Sequence, residues 1–262
     1  MFPRSFYRLL ICQYVRMPYR DRPSPKANLL LRSITEECFE RWHAKLRWID
    51  FRVGWSFYAQ GDVIGHALFP VSGVFSMVMT LEDGETVETA TVGREGFVGF
   101  PLALGASQSI NAAIAKVAGG GYTLDASSMR AELLRFELHN QQLFWRYTQA
   151  ILAQASRMTG CAHHHQLEQR LCRWLLQILD RVDQPVLQLT HQTMAERLSV
   201  RREGISTVAA LLQDAGLIRY SRGRVEIMDR KGLEQRACEC YRGVVNDYRR
   251  LLDPGLFKSS KT

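Results

Sequence analysis

The 262-residue chain contains no apolar run near the about 18 to 20 residues that a membrane-spanning helix needs. Its best N-terminal stretch, Leu9 to Val15, is short and bracketed by Arg8 and Arg16, so it reads as neither a span nor an export signal. A cytoplasmic protein with no membrane partner is expected. Histidine is scarce where a metal-dependent β-barrel enzyme would need it. Such a site takes a close His-x-His and a carboxylate on adjacent strands, and residues 49–124 hold one histidine, His66. There is no Gly-rich phosphate loop ending in Lys-Ser or Lys-Thr and no nucleophile elbow. The expectation is that the protein is not an enzyme. The cysteines Cys12, Cys38, Cys161, Cys172, Cys238 and Cys240 are scattered, and without an export signal they read as reduced thiols rather than a disulfide framework.

What is present is an ordinary globular composition, 46% apolar and 23% charged, on a chain longer than one typical domain. The net charge of +8 points to an acidic partner, and its distribution is uneven: +5 over residues 1–30, −2 over 31–159 and +5 over 160–262. Residues 1–27 mix Arg, Pro and aromatics and end in Arg20-Asp21-Arg22-Pro23-Ser24-Pro25, which no regular element tolerates well. They read as a disordered basic tail, in which Met17 offers an alternative start.

From Leu29 to Leu46 apolar residues recur at helical intervals around Thr35-Glu36-Glu37, predicting one or two short lead-in helices. Between Ile49 and Leu124 the texture is of short β-rich runs punctuated by Gly61-Asp62, Val71-Ser72-Gly73 and Gly93-Arg94-Glu95-Gly96. Val74 to Leu81 and Thr86 to Val92, joined across Glu82-Asp83-Gly84-Glu85, predict a hairpin. After Gly119-Gly120-Gly121 the period becomes helical from Asp125 to Cys161, predicting one long helix. Leu143, Tyr147, Ala150, Gln154, Met158 and Cys161, with Ile151, form a near-heptad seam on it, which can pack on its own domain or on the twin helix of a second copy, the twin being favoured. A second helix is expected over Gln166 to Val182, stopped by Asp183-Gln184-Pro185.

Thr190 is a good N-cap for a helix through Leu198 with Met194, Ala195 and Leu198 buried, and Ser199-Val200 makes a turn. A second helix runs from about Arg201 to Gln213, stopped by Asp214-Ala215-Gly216. Two helices joined by so short a turn set the second into a major groove, where Arg pairs with guanine and Glu accepts from cytosine. Arg201, Arg202, Glu203, Ser206 and Thr207 lie on that leading half and are the candidate base contacts. Leu217 to Ile227 reads as two strands around an Arg-Gly tip, a wing, with Arg222 and Arg224, together with Thr190, as candidate DNA-backbone contacts.

The run Leu189-Thr190 through Arg202-Glu203-Gly204-Ile205-Ser206 to Asp214-Ala215-Gly216-Leu217-Ile218 resembles the DNA-binding domain of the Crp/Fnr family. Gly61-Asp62, Val71-Ser72-Gly73 and Gly93 to Gly99 resemble that family's cyclic-nucleotide-binding-type β-roll. The resemblance spans about residues 30–250 and implies an α+β, two-domain fold: an N-terminal double-stranded β-roll sensor, a long dimerisation helix and a C-terminal winged helix-turn-helix. The expected division is a tail to 27, a sensor over 28–127, the dimer helix over 128–162, the DNA-binding domain over 163–250 and a tail over 251–262. It further implies a homodimer acting on palindromic double-stranded DNA with RNA polymerase as partner. Arg202 and Glu203 would read bases, and Thr207 replaces the family's usual third reader, an Arg.

Two of the family's signals are not expected here. Members that bind cyclic nucleotides hold the phosphate with an Arg-Ser or Arg-Ala pair, whereas Ser107-Gln108-Ser109-Ile110-Asn111 has no Arg, and a buried phosphate without a cation is costly. Any effector remains unassigned, with Phe97, Phe100, Ser107 and Ser109 as candidate pocket residues. Iron–sulfur members use several N-terminal cysteines, of which only Cys12 and Cys38 are available. His66 reads as a surface residue rather than a haem ligand. His163-His164-His165 reads as a solvated hinge, since successive helical residues point 100° apart, and Cys238 and Cys240, which could bind metal only with ligands from elsewhere, read as ordinary thiols. No cofactor and no metal site is expected. The alternatives are a dimeric scaffold with an incidental basic wing and a metal-dependent β-barrel enzyme.

Overall fold

The structure is a computed structural model that describes residues 22–135 and 137–252. Cys12, Met17 and most of both proposed tails lie outside the described residues. The last part of the N-terminal segment is structured: Pro25–Ala27 make a 3-10 turn, and Pro23 O accepts from Tyr122 Oη at 2.7 Å. The lead-in is two helices, α1 (Leu29–Ser33) and α2 (Glu36–His43), N-capped by Asn28 and Thr35 as their side-chain chemistry favours.

The β domain is built from β1 (Arg47–Phe51), β2 (Ser56–Tyr58), β3 (His66–Pro70), β4 (Val74–Thr80), β5 (Thr86–Val92), β6 (Ala112–Val117) and β7 (Gly119–Asp125). Its two antiparallel sheets, ordered β1-β7-β3 and β2-β6-β4-β5, enclose a common core. The expected hairpin is β4–β5, with Thr80 opposite Thr86. The aromatic centre of the core is a chain of rings: Trp42 to Phe69 at 6.0 Å, Phe69 to Phe97 at 5.4 Å, Phe97 to Phe144 at 5.7 Å and Phe97 to Tyr147 at 5.0 Å. Gly96 is required beside it, because a Cβ there would lie 2.1 Å from the Tyr147 ring.

The long helix is interrupted. In place of one helix from Asp125, α3 (Ala126–Leu133) ends and α4 (Leu138–His164) begins after a short break. Local hydrogen bonds favour the break: Gln141 Nε2 donates to the orphan carbonyl of Leu133 at 2.7 Å, and Asn140 Oδ1 accepts from Thr35 N at 3.0 Å. Arg41 ion-pairs with both Glu132 and Glu137 across the gap.

The seam on α4 faces its own chain. Leu143, Tyr147, Ala150 and Ile151 are at most 3% exposed in a single copy, and Tyr147 Oη donates to Phe97 O at 2.8 Å. Gln154 is buried, its amide accepting from Thr91 N at 2.9 Å and donating to Tyr248 Oη at 3.0 Å. Met158 is half-buried. The placement of Leu143, Tyr147, Ala150, Ile151 and Gln154 against a twin helix is therefore corrected, because the β domain and the last helix already cover them. The large apolar residues that α4 leaves in solvent are Leu138, Trp145 and Leu152, spaced seven apart.

The C-terminal half comprises α5 (Leu167–Leu179), β8 (Val186–Gln188), α6 (His191–Leu198), α7 (Arg202–Asp214), β9 (Ile218–Ser221), β10 (Arg224–Ile227), α8 (Arg230–Arg236) and α9 (Cys240–Leu251). Helix α5 stops three residues short of the expected Val182 because Asp180 and Arg181 are drawn into tertiary bonds, to Arg230 Nη2 at 2.5 Å and Glu95 Oε1 at 2.6 Å. The two expected wing strands are β9 and β10, and β8 adds a third beside them in the order β8-β10-β9. Helix α9, joined to α4 through Tyr248 at Gln154 and Asp247 at Arg157, has no counterpart among the sequence expectations.

Candidate nucleic-acid interface

Helices α6 and α7 meet where the capping chemistry places them. Thr190 Oγ1 accepts from Thr193 N at 3.0 Å to start α6, and Met194, Ala195 and Leu198 are buried beneath it. Ser199 ends α6 in a left-handed conformation at φ 50°. Arg201 is the N-cap of α7, which ends at Asp214 with Gly216 beyond it at φ 71°. Gly216 N donates to Gln213 O at 2.8 Å and Leu217 N to Leu212 O at 2.9 Å, a C-terminal closure that the positive φ permits.

The leading half of α7 presents the candidate readers together. Arg201, Arg202, Glu203 and Thr207 are exposed, while Ile205 is buried. Thr207 Oγ1 donates to Glu203 O at 3.1 Å. Ser206 is less free than its position suggests: its hydroxyl donates to Arg202 O at 3.1 Å and shares a 2.9 Å hydrogen bond with His191 Nδ1. His191 stacks on Tyr220 with centroids 4.1 Å apart. Burial, with Arg202 adding to it, pushes the His191 pKa below its ordinary value, so it supports α7 as a neutral ring. Sequence reasoning missed this residue, although its place immediately after an N-cap was a signal.

The wing tip is a two-residue hairpin in which Arg222 (φ 47°) and Gly223 (φ 76°) both have positive φ, closing Ser221 onto Arg224. The exposed Arg222 and Arg224 stand with Arg219 around one shallow recess that Glu226 also lines. Thr190, likewise exposed, lies near the tip, since Gly223 O accepts from the neighbouring Leu189 N at 2.8 Å. Cationic residues thus project from both the leading turn of α7 and the wing.

A cleft of about 800 Å³ separates the start of α7 from the β domain, lined by Arg201, Arg202 and Glu203 on one side and by Thr80, Glu85 and Thr86 of the hairpin on the other. Ser199 Oγ donates to Thr86 O at 3.3 Å across one end of it. Elsewhere between the two halves, Lys116 and Glu88 form a buried ion pair at 2.7 Å, and Trp174 of α5 donates from Nε1 to Glu88 Oε1 at 3.0 Å.

The four candidate effector-pocket residues do not converge. Phe97 fills the aromatic core, Phe100 begins a 3-10 turn (Phe100–Leu104), Ser107 is exposed, and Ser109 Oγ donates to Ala59 O at 2.7 Å. His66 lies exposed at the start of β3.

This C-terminal arrangement has a known counterpart. Residues 169–236 match the family model of the Crp-like helix-turn-helix domain. The chain carries a Crp-like helix-turn-helix domain. Its two-domain architecture is that of solved Crp/Fnr proteins. FixK2 from Bradyrhizobium japonicum superposes with a TM-score of 0.63 at 15% identity, over 74% of this chain and 98% of that one. A transcriptional regulator of the CRP family from Thermus thermophilus gives 0.59 at 22%, over 72% and 96%. The c-di-GMP-responsive global regulator CLP from Xanthomonas campestris gives 0.58 at 16%, over 74% and 100%. At these identities the likeness is one of fold. No curated protein matches the chain by sequence. The mixed helix-and-sheet expectation, with an N-terminal β-roll and a C-terminal winged helix-turn-helix, agrees with these findings. Among the described residues no helix is long and apolar enough to cross a membrane.

Proposed function

We propose that the protein is a sequence-specific DNA-binding transcription regulator of the Crp/Fnr type, acting in the cytoplasm on a palindromic site as a homodimer and not as an enzyme. The observation that carries this reading is the exposed leading turn of α7, with Arg201, Arg202 and Glu203, on a Crp-like domain whose wing tip presents Arg222 and Arg224. Arg202 and Glu203 are the principal base readers, with Arg201, Ser206 and Thr207 around them, while Thr190, Arg222 and Arg224 hold phosphates. The twin helix docks on the Leu138, Trp145 and Leu152 stripe of α4, whose seven-residue spacing suits a narrow helix–helix seam. RNA polymerase is the expected protein partner.

The β domain acts as the sensor over about residues 28–127, coupled to the reading head through the hairpin wall of the cleft. Its effector is not cyclic AMP, since residues 107–111 supply no cation for a buried phosphate. A gel-shift assay over a range of salt tests the reading. Binding to promoter fragments with a log–log salt slope of several units, lost in Arg202→Ala/Glu203→Ala with the fold intact, supports it. Absent or salt-insensitive binding refutes it and favours a scaffold.

A further inference from the structure

Two pairs of side chains far apart in sequence meet at the end of the long helix. Cys161 lies in the last turn of α4, and His165, its C-cap, is four residues on, so both point to one side. Cys238 and Cys240 flank Glu239 at the corner between α8 and α9. Cys161 Sγ is 3.5 Å from Cys238 Sγ, Cys240 Sγ is 3.7 Å from His165 Nδ1, and all four donor atoms lie within 4.8 Å of one another. The cysteines are buried and His165 is partly so. The adjacent His163 and His164 are exposed, so the hinge reading describes those two but not His165.

The 3.5 Å and 3.7 Å contacts match neighbouring donors in a coordination shell. Metal–sulfur bonds of about 2.3 Å and metal–nitrogen bonds of about 2.0 Å in a tetrahedron set neighbouring donors roughly 3.5 to 3.8 Å apart. A disulfide would engage only two of the four groups. The other ring nitrogen of His165, Nε2, lies 3.1 Å from Glu239 Oε1, the carboxylate contact that orients a ligating imidazole.

A separate observation concerns charge. Arg173 is 5% exposed. Its Nη1 meets only Met158 Sδ and Gln177 Oε1, both at 2.7 Å, its Nε has no partner, and it pairs with no carboxylate among the described residues. Met158, which it touches, lies one helical turn before Cys161 on α4, so the guanidinium sits beside the cluster. Buried guanidinium groups require a counter-charge, which a divalent ion ringed by three thiolates and one imidazole, carrying one net negative charge, would supply.

We propose that Cys161, His165, Cys238 and Cys240 form a closed four-ligand site for a thiophilic divalent ion of the zinc class, with His165 bound through Nδ1 and oriented by Glu239. Loading releases the three thiol protons to solvent, while the imidazole binds as the neutral ring. With every position filled by protein, the ion clamps rather than activates water. It staples the end of α4 to the corner between α8 and α9, fixing the hinge between the β domain and the DNA-binding half. The site stands independently of DNA binding.

The test is a cobalt(II) titration of the full chain, purified under reducing conditions and freed of metal with a chelator. Intense d–d bands of tetrahedral cobalt and a thiolate-to-cobalt charge-transfer band are expected, saturating at one ion per chain and bleached by one equivalent of zinc. Cys161→Ser and Cys240→Ser lose the charge-transfer intensity of their thiolate, His165→Asn weakens binding, and Glu239→Gln weakens it by about tenfold. Cys172→Ser, buried but outside the cluster, leaves the spectrum unchanged. Weak octahedral cobalt bands in the wild-type protein, or a charge-transfer band that Cys172→Ser removes as fully as Cys161→Ser does, would overturn the site.

Discussion

Arg181 Nε donates to Glu95 Oε1 at 2.6 Å, joining residues 86 positions apart whose side chains are 1% and 2% exposed. Glu95 belongs to the Gly93–Gly99 turn of the β domain, where it also accepts from Gly93 N at 3.1 Å. Arg181 follows α5, where it donates to Gln177 O at 2.7 Å and lies over the Tyr248 ring. The pair ties the C-terminal half to the β domain. Buried ion pairs add little stability over a well-packed apolar pair, but removing one partner leaves an unmatched charge.

Glu95→Gln is therefore expected to lose about 3 to 5 kcal/mol of unfolding free energy. Glu95→Gln combined with Arg181→Met should recover most of it, since the orphan charge is gone. Urea denaturation of the two variants checks this, and equal losses would show that the charge match is not the cause.

Stability should depend on pH through Glu88 and Lys116. Burial alone would raise the Glu88 carboxyl, but Lys116 and Ser76 outweigh it and hold it below its ordinary 4.5. Its contribution is thus full above about pH 4.5 and lost as pH falls through the lowered folded value. Lys116 is pushed down to about 8 by burial, against the pull of Glu88. The folded chain sheds that proton before the unfolded chain does, so between about pH 8 and its ordinary 10.5 this group makes stability rise with pH. Thermal melts of the Glu88→Gln/Lys116→Met variant should show both slopes reduced relative to the wild type.

If the proposed dimer forms through the α4 stripe, association and folding should respond to different residues. Trp145→Glu should give a folded monomer in sedimentation analysis. Leu143→Ala, on the covered face, should cost about 2 to 5 kcal/mol of stability through the cavity it leaves while the protein stays dimeric. A dimer that survives Trp145→Glu would place the interface elsewhere.

The wing and the reading helix should fail differently. Arg222→Ala and Arg224→Ala are each expected to lower the salt slope of DNA binding by about one and to weaken all sequences alike. Arg202→Ala should cost about 1 to 3 kcal/mol and relax the preference at one base pair. Fluorescence anisotropy across salt concentrations and single-base variants of the site distinguishes the two.

Local chemistry made much of this legible. The Thr190 cap, the Gly216 stop and the β4–β5 hairpin depend on residues within a few positions of one another, and the structure has them where the sequence puts them. The long helix was misjudged because its break depends on Thr35 and Arg41, about a hundred residues upstream. Its seam was misassigned because periodicity reveals an apolar face but not whether another copy or the same chain covers it. Helix α9 did carry a signal, Tyr241, Val244, Val245 and Tyr248 at helical spacing. The meeting of Cys161 and His165 with Cys238 and Cys240 carried none, since nothing local to either pair points to the other.

In the proposed regulator, α7 reads DNA sequence from a twofold-symmetric dimer. Selection of bound duplexes from a random pool, run in parallel with the wild-type protein and with Arg202→Ala/Glu203→Ala, tests it most directly. The account predicts that the wild type enriches an inverted repeat with half-sites about 10 base pairs apart, centre to centre, and that the double variant does not. A wild-type pool left without any enriched motif, or the same motif drawn out by both proteins, would contradict it.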